Sequence, residues 1–312
     1  MKKYIKDQEI DFVLSFIYRS DFVNVFASFL THHRYALSNR VNASTTYADG
    51  SLSSKINNFL IKTLYPKAPL IINVSHGLKH DLSKHYHIPM EKQTVIYNPY
   101  EIKKIEKLAL EPLDFKTDKS KTIVVASRLD PIKNIHIILD AIARIEEDVK
   151  LIIVGEGSQT DALKRQAKAL GLDKNVTFTG LQNNPYKYMH NASIYISASS
   201  SEGFPNALVE AMICKCAVIS TDCPSGPREI LAPDSGYTFA IDEGVEYASF
   251  GLLSAVEDRD ALVEAITFYL QYPKEKEMYA QKGYQRAQAF DISAVTQSYL
   301  NIIKKELSSC AA

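Results

Sequence analysis

The sequence predicts an α/β protein made of two parallel-sheet layers in tandem, and three observations lead there. The chain has 312 residues, enough for two separate buried cores. Short apolar runs rich in β-branched residues alternate with helical periods along most of it, the pattern of parallel strands joined by crossover helices. That rhythm stops once, between Asn98 and Lys121, where the chain is charged and carries Pro99 and Pro112, and then restarts. The interruption reads as a linker.

In the first part, strands are expected at 12–17 (FVLSFI), 35–39 (YALSN), 70–75 (LIINVS) and 94–98 (TVIYN), with helices near 21–31, 53–64 and 78–86 between them. After the linker, strands are expected at 122–127 (TIVVAS), 151–155 (LIIVG), 176–180 (VTFTG), 194–199 (IYISAS) and 217–221 (AVIST), each followed by a helical segment. Asn134 stands where an N-cap is needed for a helix with Ile135, Ile138, Leu139, Ile142 and Ile145 on one face. From about residue 259 the period is helical to the end. Two Rossmann-like domains follow, spanning 1–110 and 111–290, with a C-terminal helix over 291–312 that packs back toward the first. Ligands are expected at the carboxyl ends of the strands.

Composition narrows the function classes. With 46% hydrophobic and 23% charged residues, the chain is an ordinary globular protein, not a disordered one. No run approaches the roughly 18 apolar residues of a membrane span, and MKKYIKDQEID has no apolar signal-peptide core, so a cytoplasmic address is expected. Thirty-six basic residues balance 36 acidic ones, which argues against a nucleic-acid binder. Residues 1–120 nevertheless hold 17 Lys/Arg against 12 Asp/Glu, a +5 surplus that suits an anionic membrane surface or phosphorylated acceptor, or is simply a solvated face. Cys214, Cys216, Cys223 and Cys310 form no CxxC pair and are expected to be reduced thiols without a metal.

Two segments carry chemistry. In SEGFPNALVEAM (201–212), Glu202 and Glu210 are separated by seven residues, and Pro205 stands where a helix would start. Free N–H groups at that helix start suit a phosphate, and the two carboxylates suit sugar hydroxyls. Taken alone, the same acids also fit a helix-dipole partner and an exposed helical residue. In SRLDPIKN (127–134), Arg128 and Lys133 leave the end of a strand on one loop shaped by Pro131, so that both can converge on a diphosphate, or pair with surface carboxylates.

These segments, with LIIVGEGSQTDALKRQAKALGLDKNVTFTG and ISTDCPSGPREIL in this order and spacing, closely resemble glycosyltransferase family 4, the retaining nucleotide-sugar enzymes of GT-B fold. EGFPN and CPSGPREI resemble its bacterial branch that builds surface polysaccharides such as lipopolysaccharide and capsule, and lipid-linked glycans. By position, the resemblance implies that Arg128 and Lys133 grip the donor diphosphate, that Glu202 contacts the donor sugar and that Glu210 holds the ribose. It implies backbone contacts to sugar and phosphate from Phe204, Pro205, Asn206 and Ala207, a cleft-lining turn at Gly155 and Gly157, and base stacking at Leu181. Ser38, Asn39, Arg40, Ser75, His76 and Gly77 would face the acceptor. Family members carry further N-terminal strands, so the first domain is expected to be truncated, with the 12–17 strand at an open edge available for self-association.

Some patterns imitate other sites. Gly155-Glu156-Gly157 opens a dinucleotide fingerprint, but Thr160 replaces its third glycine. Asp258-Arg259-Asp260 imitates a metal-binding DxD, yet it opens a helix where acids serve as caps. His76 at a strand end reads as a structural histidine. Lys215 and Ala217 stand where the family has glycine and proline, and a left-handed C-cap at Lys215 would cost about 1 kcal/mol relative to glycine. The implied function is transfer of an N-acetylhexosamine or hexose from a UDP-sugar to a polysaccharide or undecaprenyl-diphosphate-linked acceptor, without a metal or other cofactor, on the inner face of the membrane. A nucleotide-sugar-binding remnant or subunit without catalysis, and another GT-B enzyme such as an epimerase, are the alternatives.

Overall fold

The computed structural model describes residues 1–308. Its chain forms two compact units, 1–99 with the C-terminal segment from 292, and 100–291. Unit 1 comprises α1 (Lys2–Asp7), β1 (Phe12–Phe16), α2 (Tyr18–Thr31), β2 (Arg34–Asn39), α3 (Ala43–Thr46), α4 (Leu52–Leu64), β3 (Leu70–Asn73), α5 (His76–Tyr86) and β4 (Gln93–Val95). Its four parallel strands run in the order β1-β2-β3-β4, so β1 lies at an edge, as expected of the 12–17 strand. Helix starts are marked by polar caps: Ser51 Oγ accepts from the Ser54 N–H at 3.1 Å, and Ser75 Oγ from the Leu78 N–H at 3.2 Å.

Unit 2 comprises α6 (Ile102–Ala109), β5 (Thr122–Ala126), α7 (Ile135–Ile142), β6 (Lys150–Val154), α8 (Thr160–Ala169), β7 (Val176–Gly180), α9 (Tyr186–His190), β8 (Ile194–Ser197), α10 (Asn206–Ile213), β9 (Ala217–Thr221), α11 (Pro227–Leu231), β10 (Val245–Tyr247), β11 (Leu252–Ser254), α12 (Arg259–Gln271) and α13 (Pro273–Ala287). The sheet order is β10-β11-β9-β8-β5-β6-β7, all parallel except β10. Strands β5, β8 and β9 are buried along their whole length, which is why they read as unbroken apolar runs instead of alternating ones. The chain then returns to unit 1 as α14 (Ile292–Ser308). On one face of the unit 1 sheet, α2, α4 and α5 cover Tyr35, Leu37 and Ile71; on the other, Val295, Tyr299 and Ile302 of α14 meet Ala36, Leu70 and Ile72.

Three expectations change. The supposed linker contains α6, whose Ile102, Ile105 and Ala109 are buried. Asn134 precedes α7 but does not cap it: its backbone is left-handed at φ 49°, and its side-chain Nδ2 finds no partner. The stretch from 259 is helical as expected, in three helices, but the short strands β10 and β11 before it were not anticipated. Lys215 does take the left-handed conformation, at φ 62°, at a cost of about 1 kcal/mol relative to glycine, with its ammonium 4.9 Å from the centre of the Tyr284 ring. Asp258 is the N-cap of α12, accepting from the Ala261 N–H at 2.9 Å and the Gly244 N–H at 3.0 Å, while Asp260 pairs with Arg144.

Candidate active site

In unit 2 the strand order reverses around β5: β6 and β7 extend one way, β8 and β9 the other. The loops leaving β5 and β8 therefore diverge, and a crevice must open at their carboxyl ends. A cleft of ≈ 250 Å³ lies there, lined by Ser127, Arg128, Lys133, Ser197, Ser199 and Glu202, and by Phe204, Pro205, Asn206 and Ala207 at the start of α10.

The polar wall of the cleft is an ion pair. Lys133 Nζ lies 2.5 Å from Glu202 Oε1, with the two side chains 18% and 13% exposed. Pro131 starts the tight turn that delivers Lys133. Ser199 Oγ donates to the same Glu202 oxygen at 2.7 Å. Arg128 is 76% exposed and pairs with Asp130 at 2.7 Å. Each cation therefore already has a carboxylate partner, and the cleft is close to neutral.

The glutamate loop is braced from behind. Ser225, left-handed at φ 64°, donates its hydroxyl to the Glu202 carbonyl. Gly226, at φ 93°, approaches so closely that an added Cβ would sit 2.6 Å from Pro205 Cδ. Beyond it, Arg228 is buried between Asp222 at 2.6 Å and Glu246 at 2.7 Å, and Asp222 also accepts from the Ile241 N–H at 2.9 Å. These bonds hold Arg228 firmly protonated despite its burial. At the start of α10, the Tyr100 hydroxyl donates to Asn206 Oδ1 at 2.7 Å. One turn further along the same helix, Glu210 accepts from the Tyr186 hydroxyl at 3.4 Å. Burial raises the Glu210 carboxyl above the usual range, an effect that bond partly offsets, and Tyr186 is itself pushed up to about 12, mainly by burial and then by Glu210.

Residues 112–286 match the model of the family described as glycosyl transferases group 1, more than half of the chain. A relative from Campylobacter jejuni, N-acetylgalactosamine-N,N'-diacetylbacillosaminyl-diphospho-undecaprenol 4-alpha-N-acetylgalactosaminyltransferase, is 33% identical over 303 residues, 97% of this chain and 78% of the relative. The chain belongs to this family. As a group 1 glycosyltransferase it has the GT-B fold. An Anabaena protein crystallised with UDP superimposes with a TM-score of 0.78 at 22% identity, over 97% of this chain and 81% of that one. A sucrose-phosphate synthase from Thermosynechococcus elongatus superimposes with a TM-score of 0.81 at 18% identity, over 99% and 76%.

Of the residues singled out from the sequence of this glycosyltransferase, seven line the cleft: Arg128, Lys133, Glu202 and the run from Phe204 to Ala207. Gly155, Gly157, Leu181 and Glu210 are not among its lining residues. Gly155 and Gly157 lie behind it, where a Cβ would meet Ser127 O at 1.9 Å and the Leu129 backbone at 2.6 Å; they let the 155–157 turn press the 127–129 loop into place. Leu181 follows Gly180 and is 75% exposed. In unit 1, Asn39 bonds Asn73 at 2.9 Å and accepts from Tyr18, Ser75 caps α5, and His76 opens that helix beside Tyr97. Ser38 is fully buried and its hydroxyl has no hydrogen-bond partner. Arg40 hydrogen-bonds the Asn98 side chain, and Gly77 lies in the first turn of α5. Sequence reasoning missed Ser199, Ser225, Tyr100 and Tyr186, whose only signal was their place next to a recognised motif or strand. Cys214, Cys216 and Cys223 are free and buried, and burial pushes the Cys216 thiol up to about 12; Cys310 lies outside the described residues.

Proposed function

We propose that this glycosyltransferase is a retaining family 4 enzyme that moves an N-acetylhexosamine or hexose from a UDP-sugar to a lipid-linked oligosaccharide or surface polysaccharide, in the cytoplasm at the inner face of the membrane. The observation that carries the reading is the Lys133–Glu202 pair beside the start of α10, at the point where the strand order reverses. A cation, a carboxylate and the backbone N–H groups of a helix start are what a sugar diphosphate requires in one place. The Campylobacter relative, whose name specifies an undecaprenyl-diphosphate-linked acceptor, supports the acceptor class. The UDP in the Anabaena structure supports the donor class.

In this reading Lys133, Arg128 and the first N–H groups of α10 take up the negative charge that grows on the leaving diphosphate. Glu202 and the 203–205 loop hold the sugar, and Glu210 meets the ribose. The acceptor hydroxyl forms the new bond to the anomeric carbon as the bond to the diphosphate oxygen breaks. Its proton passes to the departing phosphate, so attack and departure share one face and configuration is kept. Because side chains and backbone supply the positive charge, no metal is required. Incubation of the protein with UDP-N-acetylgalactosamine and an undecaprenyl-diphosphate-linked disaccharide, followed by NMR of the product, tests the reading. An α-linked product is expected. A β-linkage, or no transfer from any UDP-sugar, overturns it.

A further inference from the structure

A second cavity of ≈ 260 Å³ lies in unit 2 between the starts of α7 and α8, and it shares only Ile135 with the cleft described above. Strands β5, β6 and β7 are neighbours in that order, so the crossovers α7 and α8 lie side by side on one face of the sheet. The apolar lining of the cavity is Pro131, Ile135, Ala162 and Leu163, of which Ile135 and Leu163 belong to the unit 2 core. Its polar lining is Asp130, Asn134, His136, Gln159 and Gln166.

Asn134 is 6% exposed, and its Nδ2 is buried without a hydrogen-bond partner. A buried amide left unmet costs free energy that a ligand oxygen recovers. Gln166 commits its Nε2 to His136 O at 2.9 Å and Asp140 Oδ1 at 2.6 Å, so toward a ligand it is an acceptor. Gln159 precedes α8 without capping it, which leaves its amide for the cavity. Asp130 Oδ1 takes only long bonds from Ser158, 3.3 Å from the N–H and 3.2 Å from the hydroxyl, while Oδ2 pairs with Arg128. No lysine or arginine lines the cavity and one carboxylate does, so an anion is a poor occupant. Amides, a carboxylate and an imidazole set against apolar carbons suit a neutral pyranose ring, whose hydroxyls both donate and accept and whose C–H face is apolar.

We propose that this cavity is an accessory carbohydrate site for one neutral hexose or N-acetylhexosamine ring, with Asn134 donating to a sugar oxygen and Asp130 and Gln166 accepting from hydroxyls. This rests on the reading of the enzyme as acting on a glycan, and adds to it a site outside the cleft. Asp130 joins the two sites, because its other oxygen holds Arg128 at the cleft. A hydroxyl donating to Asp130 loosens that hold and frees Arg128 for a diphosphate, so sugar and UDP should favour each other.

Saturation-transfer NMR of the full chain with UDP bound tests this, with N-acetylgalactosamine and its α-linked trisaccharide as probes. Asn134→Gly keeps the left-handed turn and removes the amide, and should weaken sugar binding about tenfold, the loss of one buried hydrogen bond. Ala162→Phe fills the cavity from α8 and should abolish the binding. Circular dichroism should show both variants folded, and their UDP affinity without sugar should match wild type. Sugar should tighten UDP about fivefold in the wild type, the low end for coupled sites, and not at all in Ala162→Phe. A stronger signal from the trisaccharide makes the occupant a unit of a glycan chain, and one from the monosaccharide a free sugar; either supports the site. Wild-type sugar binding by both variants, no sugar signal, or displacement of the sugar by an equal concentration of inorganic phosphate would each overturn the proposal. Binding that Ala162→Phe abolishes, in a protein that transfers to no acceptor, would support the site and count against the transferase reading alone. Transfer without such binding would overturn the site and leave that reading standing.

Discussion

Neutralising Glu202 should tighten UDP binding while slowing sugar transfer. Lys133 and Glu202 are in contact at 2.5 Å and mostly buried, so an incoming diphosphate has to compete with a carboxylate for the same ammonium. A charge-assisted hydrogen bond contributes about 1.5–3 kcal/mol, roughly twice a neutral one. Glu202→Gln keeps the shape and the contact with Ser199 but halves the hold on Lys133, releasing about 1 kcal/mol to the diphosphate. UDP should then bind about fivefold more tightly by calorimetry. Transfer should fall, because the carboxylate proposed to hold the sugar is gone. Lys133→Ala should weaken UDP by about 2 kcal/mol, near the low end for a desolvated charge contact, since the lysine already has a partner to give up. In Lys133→Ala/Glu202→Gln the gain from the second change should vanish. Unchanged or weaker UDP binding by Glu202→Gln would refute the reasoning, because Lys133 would then not be exchanging one anion for another.

Gly226→Ala has to place a Cβ against Pro205 at φ 93°, so we expect a loss of about 1–3 kcal/mol in stability by urea titration, together with weaker donor binding; wild-type values for both would show that the brace does not position the loop. Asp21 has its carboxyl raised from 3.8 to about 6 by burial, so the folded chain retains a proton that the unfolded chain releases. Its contribution is fully present below about pH 4 and is lost as pH rises through about 6, a change of about 3 kcal/mol. Asp21→Asn should remove that part of the slope in urea titrations across this window, and identical slopes would count against it. Cys216, pushed up to about 12 by burial, should stay inert to a thiol reagent at neutral pH until denaturant is added; prompt labelling in the native protein would show that the thiol is reachable. For an active preparation, chelator should change the transfer rate by no more than a factor of a few, and full loss restored by manganese would make a metal part of the chemistry.

The strands of unit 2 were legible because strands buried on both faces leave runs such as TIVVA and AVIST with no other use. Helices α2, α4 and α5 of unit 1 were legible to within a few residues from their period, whereas α1 and the four-residue α3 are too short to show one. Helix α6 was hidden by its own neighbours: Lys103, Lys104 and Lys107 dominate the composition, while the stripe Ile102, Ile105 and Ala109 that buries it is only three residues wide. Asn134 has the residue type of a cap, but the turn from Pro131 to Lys133 forces it left-handed. In the cleft, the residues on the two motif loops could be read because each loop is local in sequence. Their partners could not, because Ser225 and Tyr100 reach the motif through tertiary packing that no spacing records. A carboxylate partner was one of the two readings open for these cations, but no spacing singled out Glu202 as the partner of Lys133.

The seam at which the cleft opens is also the narrowest join in the unit 2 sheet. Strand β5 matches β6 over five residue pairs but meets β8 over two, Ile123 with Ile194 and Val124 with Tyr195. Those partners are far apart along the chain, so their pairing has to wait for a long loop to close. During synthesis the β5–β7 half can form first, and a donor has nowhere to bind until the second half arrives. In the finished protein, amide exchange should reveal openings along this seam at lower free energy than within either half, and nucleotide bound across it should slow exchange on both sides together.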